Sequence, residues 1–242
     1  MRLLFVIPAR GGSKGLPGKN IKPLNKKPLI IHSLHYARLF SDDSNICIST
    51  DDSNIASVVR EEGYKTLFLR PAALAGAESG MWEVILHALD FYEKKSGPYD
   101  AVVLLQPTSP FRLKRFMEEA LAIFTGDQDM LVGVNESKAN PYFNLFEENA
   151  EGFLELSKKK GKIVRRQDAP PVYQYNGSLY IINAKSLRLY GSLSEFPRIV
   201  KYVMPEEYGT DIDNAADWAK AEYLINNHLV NIDGKLQNHS KA

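Results

Sequence analysis

Residues 3–20 read LLFVIPARGGSKGLPGKN, a short apolar run that leads into a loop rich in glycine and basic residues. The apolar run, Leu3–Ile7, has the length and composition of a buried strand. Pro8 and Arg10 end it, so it is too short for the apolar core of a signal peptide. A strand that opens into a glycine-rich turn is typical of the first unit of an α/β sheet, where ligands bind beyond the strand ends.

Similar apolar runs recur along the first 135 residues and alternate with helical patterns. The further predicted strands are Ile46–Ser49, Thr66–Leu69, Ala101–Leu105 and Met130–Val134. The predicted helices begin at Pro28 and after Asp51-Asp52-Ser53, and cover Glu78–Tyr92 and Leu113–Phe124. Strands that are apolar on both faces belong to parallel sheets covered by helices. The pattern therefore predicts an α/β fold with a mostly parallel central sheet flanked by helices.

The alternation changes after Asn135. We interpret residues 136–178 as an insertion of short strands and loops. Strands at Ser178–Asn183 and Ile199–Met204 and a helix from about Asn214 to Asn227 then resume the pattern. We expect one domain over residues 1–242, with a polar tail over 231–242.

Composition excludes several classes of protein. The 242 residues are 44% hydrophobic and 24% charged, which is enough apolar material for an ordinary core. The net charge of +1 is lower than a polyanion binder normally carries, so nucleic acid is not an expected partner. A single cysteine excludes a disulfide framework and a Cys-rich zinc site. Since no stretch approaches the roughly 18 apolar residues of a membrane span, we expect a cytoplasmic protein without membrane contact.

The loop after the first strand is the most informative motif. Between Pro8 and Asn20 it holds four glycines and three cations, Arg10, Lys14 and Lys19, with no acid. Glycines let backbone N–H groups approach an anion, and the cations neutralise its charge. The loop lacks both the Walker A spacing and the Gly-x-Gly-x-x-Gly of dinucleotide sites, which argues against a nicotinamide dehydrogenase. The alternative of a solvated basic loop leaves the crowding of like charges uncompensated.

Asp211-Ile212-Asp213 is the candidate metal motif, and we predict that it directly follows a strand. Alternation on an extended backbone points both carboxylates to one side. Such a pair suits Mg²⁺, which usually takes one or two carboxylates together with substrate phosphates. Taken alone, the motif is more typical of a solvated turn.

Two further segments carry polar side chains. Gln106 and the hydroxyls of Leu105–Pro110 follow a predicted strand and should project into the ligand crevice, although two prolines could equally build a rigid turn. Arg166 lies in the insertion, shortly before Asn176-Gly177-x-x-Tyr180. A guanidinium can bind a carboxylate through two hydrogen bonds, as an acid sugar would require. A solvated charge run is the alternative there.

These motifs together resemble the acylneuraminate cytidylyltransferases, the CMP-sialic acid synthetases. The matching segments are Ile7–Gly15 with Lys19-Asn20, Arg70–Ala75, Leu105–Pro110, Asn176–Tyr180 and Asp211–Asp213. The resemblance implies a Rossmann-like nucleotidyltransferase fold and a homodimer in which the insertion helps to complete the partner's site. It also implies that CTP and an acidic nonulosonate sugar react with Mg²⁺ as cofactor to give a CMP-sugar and pyrophosphate. A CMP-Kdo-type synthetase and a non-catalytic nucleotide-sugar-binding protein on the same fold are the alternatives.

The resemblance also assigns roles to individual residues. The nucleotide contacts are Ala9, Arg10, Gly11, Gly12, Ser13, Lys14, Lys19, Asn20, Arg70 and Ser79. The sugar contacts are Gln106, Arg166 and Tyr180, and the metal ligands are Asp211 and Asp213. Catalytic roles fall to Arg10, Lys14, Lys19 and Gln106. No residue is named as the general base.

The chain departs from the sialic acid enzymes in two places. Residues 76–81 read GAESGM, where those enzymes usually carry a segment rich in Asp, Thr and Ser. Phe143 stands where they often have a lysine, within a segment, Asn140–Leu145, that is similar to the legionaminic acid branch. The resemblance therefore leaves N-acetylneuraminate and legionaminate both open as substrates.

Overall fold

The computed structural model describes residues 1–13, 15–76, 80–159, 161 and 163–232. The strands are β1 Leu3–Pro8, β2 Pro23–Leu24, β3 Lys27–Pro28, β4 Ile46–Ser49, β5 Ala101–Leu104, β6 Met130–Glu136, β7 Phe146–Glu148, β8 Leu154–Leu156, β9 Tyr173–Asn183 and β10 Ile199–Val203. The α-helices are α1 Leu29–Ala37, α2 Ser53–Glu61, α3 Met81–Ser96, α4 Lys114–Ile123, α5 Ala184–Leu189 and α6 Ala215–Asn226.

A six-stranded sheet in the order β10-β6-β9-β5-β1-β4 forms the centre of the molecule. The pairs of β1 with β4 and β5, and of β6 with β10, are parallel, whereas β9 runs antiparallel to both of its neighbours. The predicted α/β fold with a mostly parallel sheet is confirmed. Because β9 runs in reverse, its first residues lie at the edge where β5 and β6 end.

Helices cover both faces of this sheet, as the doubly apolar strands predict. Phe5 and Ile7 of β1 face a core that also contains buried side chains of α1, α2 and α4. Leu4 and Val6 face the opposite core, which α3 and α5 close. Side chains that alternate in direction along one strand therefore fill two separate cores, one on each face of the sheet.

Local signals place several helix boundaries correctly. Asp52 caps α2, because its side chain accepts a hydrogen bond from the backbone N–H of Asn54. Asn214 caps α6 in the same way, and Asp217 completes a reciprocal capping box. The helix predicted over Glu78–Tyr92 begins at Met81, and Glu78 lies outside the described residues.

The strand predicted at Thr66–Leu69 is wrong, because this segment is irregular. Leu67 and Leu69 are exposed, while the ring of Phe68 packs 4.7 Å from that of Phe91 on α3. The alternating pattern therefore reflects an irregular segment that packs against α3 on one side and is exposed on the other. The segment does not pair with β4, which remains the terminal strand of the sheet.

Residues 136–178 contain the β7–β8 hairpin and a 3₁₀ turn, Arg166–Asp168, as expected of short strands and loops. Strand β9 begins inside this range, at Tyr173, five residues before the predicted Ser178. The hairpin exposes Phe146, Phe153 and Leu154. Of the predicted polar tail, residues 233–242 lie outside the described residues. Within the described part of the chain, the helices are too short or too polar to cross a lipid bilayer.

Candidate active site

A cleft of about 350 Å³ opens at the carboxyl ends of β1 and β5. Such a position is where open α/β sheets bind ligands. The predicted site residues that line it are Arg10, Ser13, Lys19, Asn20, Arg70, Gln106, Asp211 and Asp213. Lys14 and Ser79, which we also predict in the site, lie outside the described residues. The cleft thus joins the basic loop, the end of β5 and the acidic segment.

Backbone and amide hydrogen bonds hold the basic loop against the sheet. Ala9 is 1% exposed and donates its N–H to the carbonyl of Ser49 at 2.9 Å, so it anchors the loop and does not line the cleft. The Asn20 carboxamide donates to the carbonyl of Arg10 at 3.0 Å. Asn20 therefore closes the loop on itself, which places Arg10 and Ser13 on the cleft wall.

The two neighbouring glycines of the loop differ in their surroundings. Gly11 donates its N–H to the Oδ1 atom of Asp51 at 3.1 Å, and a Cβ at Gly11 would collide with the side chain of Asp52. Gly12 has nothing within 4 Å of such a Cβ. Gly11 is therefore needed for the close approach of the loop to the acids after β4, and its N–H group is already used.

Lys19 connects the basic loop to the acidic segment. Its Nζ atom lies 2.9 Å from Oδ1 of Asp213 and donates to the carbonyl of Ile212 at 2.8 Å. The Lys19 side chain is only 11% exposed, whereas that of Asp213 is 70% exposed, so the lysine is the partner that the protein holds in place. A cation held in this way can face a bound anion without a large loss of side-chain entropy.

Asp211 and Asp213 both line the cleft, and the residue between them points the other way, into the protein. Ile212 is buried and its N–H donates to the carbonyl of Thr108 at 2.8 Å, while both acids are exposed. The predicted alternation is confirmed, but the prediction that the motif directly follows a strand is wrong. A 3₁₀ turn, Glu206–Gly209, separates it from β10, and α6 follows it.

The acids fit a magnesium site by the chemistry of their donor atoms. Both supply carboxylate oxygen to one cleft, and Oδ1 of Asp211 accepts a hydrogen bond from the Ser109 hydroxyl at 3.2 Å. Among the described residues, no group of three or more His, Cys, Asp or Glu side chains could hold a metal. Two carboxylates are what Mg²⁺ uses when substrate phosphates complete its coordination.

Arg70 forms a nearly buried wall of the cleft and is 7% exposed. Its guanidinium donates to the hydroxyl of Ser49 at 3.0 Å and also to the carbonyl of that residue. Burial lowers the pKa of Arg70, and the negative charge of Asp51 opposes this shift. These contacts fix the guanidinium at the end of β4, opposite Met81 and Val84 on the same cleft.

Gln106 reaches the cleft because a glycine packs against its side chain. Gly177 has φ +71°, and a Cβ there would lie 2.8 Å from Oε1 of Gln106 and 2.5 Å from the Ser109 hydroxyl. The positive φ and the lack of space both require glycine. The Ser109 hydroxyl also lies 3.2 Å from the Asn176 carbonyl, so its one proton is shared between that oxygen and Oδ1 of Asp211. The start of β9 is thereby fixed against the loop after β5.

Tyr180 and Arg166 do not line the cleft. Tyr180 pairs with Leu104 and Val132 one layer below the sheet edge and is 8% exposed. Burial raises its pKa to about 12, and the charge of Asp211 adds to the shift. Arg166 begins the exposed 3₁₀ turn of the insertion, outside the cleft of its own chain. The structure thus groups the nucleotide and metal candidates and leaves these two sugar candidates apart.

A family model described as cytidylyltransferase matches residues 4–233. The chain belongs to the cytidylyltransferase family. The predicted enzyme class and family are therefore confirmed, and the match extends from the first strand of this cytidylyltransferase past its last helix.

Curated relatives agree with the family match. The CMP-N,N'-diacetyllegionaminic acid synthase of Legionella pneumophila is 33% identical over 93% of this cytidylyltransferase and 97% of its own length. The N-acylneuraminate cytidylyltransferase of Streptococcus agalactiae is 30% identical over 90% of this chain, which spans 52% of that longer protein. Among solved structures, a CMP:2-keto-3-deoxy-manno-octonic acid synthetase complexed with CTP covers 94% of this chain and 100% of its own, with a TM-score of 0.66 and 20% identity. That likeness shows the fold.

Thr108, one of the hydroxyl residues predicted to reach the crevice, lines the cleft, and its carbonyl accepts the N–H of Ile212. Sequence reasoning missed two residues of this cytidylyltransferase that support the cleft, Asp51 and Arg112. Asp51 binds the basic loop, although we assigned it only to a helix start. Arg112 lies beneath the site at 2% exposure. The available signals were an acid directly after a strand that neighbours β1 and a lone arginine between the apolar residues Phe111 and Leu113.

Proposed function

We propose that this cytidylyltransferase transfers CMP from CTP to an acidic nonulosonate sugar and releases pyrophosphate. The observation that carries the proposal is a single cleft in which the basic loop, Gln106 and the acid pair Asp211 and Asp213 meet. The names of relatives that match most of this chain support the sugar class.

The basic loop forms the nucleotide half of the site. Arg10, Lys14 and Lys19 neutralise the triphosphate and the charge that accumulates on departing pyrophosphate. Ser13 and Asn20 contact the nucleotide from the same wall, and the cytosine and ribose contacts are assigned to Arg70 and Ser79. Ala9, Gly11 and Gly12 shape the loop backbone around the phosphates. Catalysis then rests on positioning and charge neutralisation, as is general for attack at phosphorus.

Asp211 and Asp213 hold Mg²⁺ in this proposal. When bound, the metal ion neutralises phosphate oxygens and orients the triphosphate. Lys19 holds Asp213 in place while its own charge faces the nucleotide. Gln106, together with Tyr180 and with Arg166 from the insertion, orients the sugar so that its anomeric hydroxyl attacks the α-phosphate and pyrophosphate leaves. Gln106 has no proton-accepting role, because a carboxamide does not titrate near neutral pH.

The proposed reaction is tested by measuring pyrophosphate release with CTP, UTP, ATP or GTP and a panel of acid sugars. We expect release only with CTP together with a nonulosonate and a divalent cation. A non-catalytic nucleotide-sugar-binding protein would bind without turnover, and the presence of both acids argues against it. Equal rates with Kdo and the nonulosonates would favour a CMP-Kdo-type enzyme and contradict the sugar assignment.

The proposal includes a homodimer in the cytoplasm, with the insertion of one chain next to the cleft of the other. The exposed apolar side chains Phe146, Phe153 and Leu154 of the β7–β8 hairpin support an interface there. Arg166 is exposed on the same insertion, so it is free to serve a neighbouring cleft.

Arg166→Ala should raise the KM for the sugar far more than the KM for CTP, because the guanidinium is assigned to the sugar carboxylate. Arg165→Ala is the matched control, since Arg165 pairs with Asp168 at 2.9 Å on the same turn. A rise confined to the KM for CTP would contradict the assignment.

Mixing Arg166→Ala chains with Asp211→Asn chains should restore part of the activity if the two residues serve one site from different chains.

Phe143 should favour a sugar with fewer hydroxyl groups. The residue is half-buried in the insertion, where an aromatic ring offers apolar surface and a lysine would offer a charge. One extra or missing methylene in an apolar pocket changes discrimination by about 1–3 kcal/mol, roughly 10- to 200-fold. We expect kcat/KM for a 9-deoxy diacylated nonulosonate such as legionaminate to be at least comparable to that for N-acetylneuraminate. A strong preference for N-acetylneuraminate that Phe143→Lys leaves unchanged in an equimolar competition assay would exclude this role.

A further inference from the structure

Arg112 is a buried cation whose hydrogen-bond acceptors are all neutral. It lies just before α4 and is 2% exposed. Nε donates to the Ser178 carbonyl at 2.6 Å, Nη1 to the Ser33 hydroxyl at 2.9 Å and Nη2 to the Gln106 carbonyl at 2.7 Å. Burial lowers the pKa of Arg112 to about 10, so the group is still charged at neutral pH. The charge of Asp211 and the ring of Tyr36, whose centre lies 5.8 Å from Cζ, attract the guanidinium, but no carboxylate is among its hydrogen-bond acceptors and the cost of burial outweighs this attraction.

The three acceptors come from three elements, and two of them carry the sugar half of the cleft. Gln106 follows β5, Ser178 belongs to β9 and Ser33 lies in the middle of α1. Ser178 directly follows Gly177, the residue that packs against Oε1 of Gln106. The planar guanidinium can donate in three fixed directions at once, whereas a lysine has one nitrogen. Arg112 therefore connects the two segments that meet at this contact, the loop with Gln106 and the start of β9, to helix α1.

We propose that Arg112 is a positioning residue for the sugar half of the active site, which holds Gln106 and Gly177 at their contact without touching substrate. This inference rests on the proposed function, because it takes Gln106 as a sugar contact. The nucleotide loop is held by other residues, namely Ser49, Asp51 and Asn20. Loss of the Arg112 hydrogen bonds should therefore affect the sugar selectively.

Two variants test this positioning role. Arg112→Lys retains the positive charge but loses the planar guanidinium that donates in three directions. Ser33→Ala keeps the arginine but removes one of its three hydrogen-bond acceptors. Both should raise the KM for the sugar or lower kcat/KM for the sugar by about tenfold or more, because small displacements of a contact group have large kinetic effects. The Kd for CTP, measured by titration without sugar, should change less than about twofold. Arg112→Lys should retain more activity than Arg112→Met.

The controls separate this role from a loss of stability. Met117→Ala removes a fully buried side chain on α4 and should lower Tm without a change in the KM for the sugar. Arg115→Met removes an exposed arginine, the second residue of α4, and should change neither quantity. If Arg112→Lys and Ser33→Ala lower Tm but leave the kinetics for the sugar intact, or weaken CTP equally, the inference is wrong. If the wild-type enzyme releases no pyrophosphate from CTP with any sugar, the proposed function fails and the inference fails with it.

Discussion

Asp211→Asn should reduce kcat by about 10²- to 10³-fold or more, which corresponds to roughly 3–4 kcal/mol of transition-state stabilisation. The amide keeps the shape of the side chain and can still accept a hydrogen bond from Ser109, but it lacks the charge that a metal ligand needs. Because Asp211 is exposed and makes one hydrogen bond of 3.2 Å to Ser109, the free energy of unfolding should fall by less than about 1 kcal/mol. Steady-state kinetics across a Mg²⁺ titration, together with thermal unfolding, provide the measurement.

Asp42→Asn is the matched control for this experiment. Asp42 is exposed and precedes β4 at the opposite edge of the sheet from the cleft, so the same chemical change there should leave kcat unchanged. Wild-type turnover in Asp211→Asn, with an unchanged dependence on Mg²⁺, would remove the residue from the metal site.

Lys19→Met should lower kcat/KM for CTP by about 10²- to 10³-fold, the usual loss when one preorganised charge stabiliser is removed. The side chain is 11% exposed and bound to Asp213 and the Ile212 carbonyl, so its cation is held where the triphosphate is proposed to lie. The loss should appear in both kcat and the KM for CTP, because the charge faces the nucleotide before and during the reaction. Initial rates over a CTP titration measure both.

Lys22→Met tests whether any lysine near the loop has the same effect. Lys22 lies 4.3 Å from the centre of the Trp218 ring and does not line the cleft. Its loss should leave the kinetics for CTP within about twofold of the wild type. Equal losses in the two variants would mean that overall positive charge, and not the position of Lys19, carries the effect.

Local signals predicted much of the fold. Leu3–Ile7 and Ile46–Ser49 are apolar on both faces and occur as an inner strand and an edge strand of the sheet. Asp52 and Asn214 cap α2 and α6, as their positions predict. Thr66–Leu69 has the same local pattern but pairs with no described strand, because pairing depends on neighbours that are distant in sequence. The reversed direction of β9 likewise follows from the path of the insertion and has no local signal.

The candidate site divides in a similar way. Arg10 and Lys19 were predicted in the cleft from residue type and their position after the first strand. Asp213 was predicted from residue type and spacing, although its predicted position directly after a strand is wrong. The pairing of Lys19 with Asp213 joins residues that are 194 positions apart and follows only from the folded arrangement. Asp51 and Arg112 escaped prediction for the same reason, since each acts through contacts with distant segments.

The transfer of CMP to the anomeric oxygen of the sugar is tested most directly with substrate labelled at that oxygen. The enzyme, CTP and Mg²⁺ are incubated with a nonulosonate that carries ¹⁸O at its anomeric hydroxyl, and the products are analysed by mass spectrometry. We predict equimolar CMP-sugar and pyrophosphate, with the label entirely in the bridge between sugar and phosphate. Label in pyrophosphate, a phosphorylated sugar with CDP, or no CTP-dependent product with any acid sugar would contradict the proposed reaction.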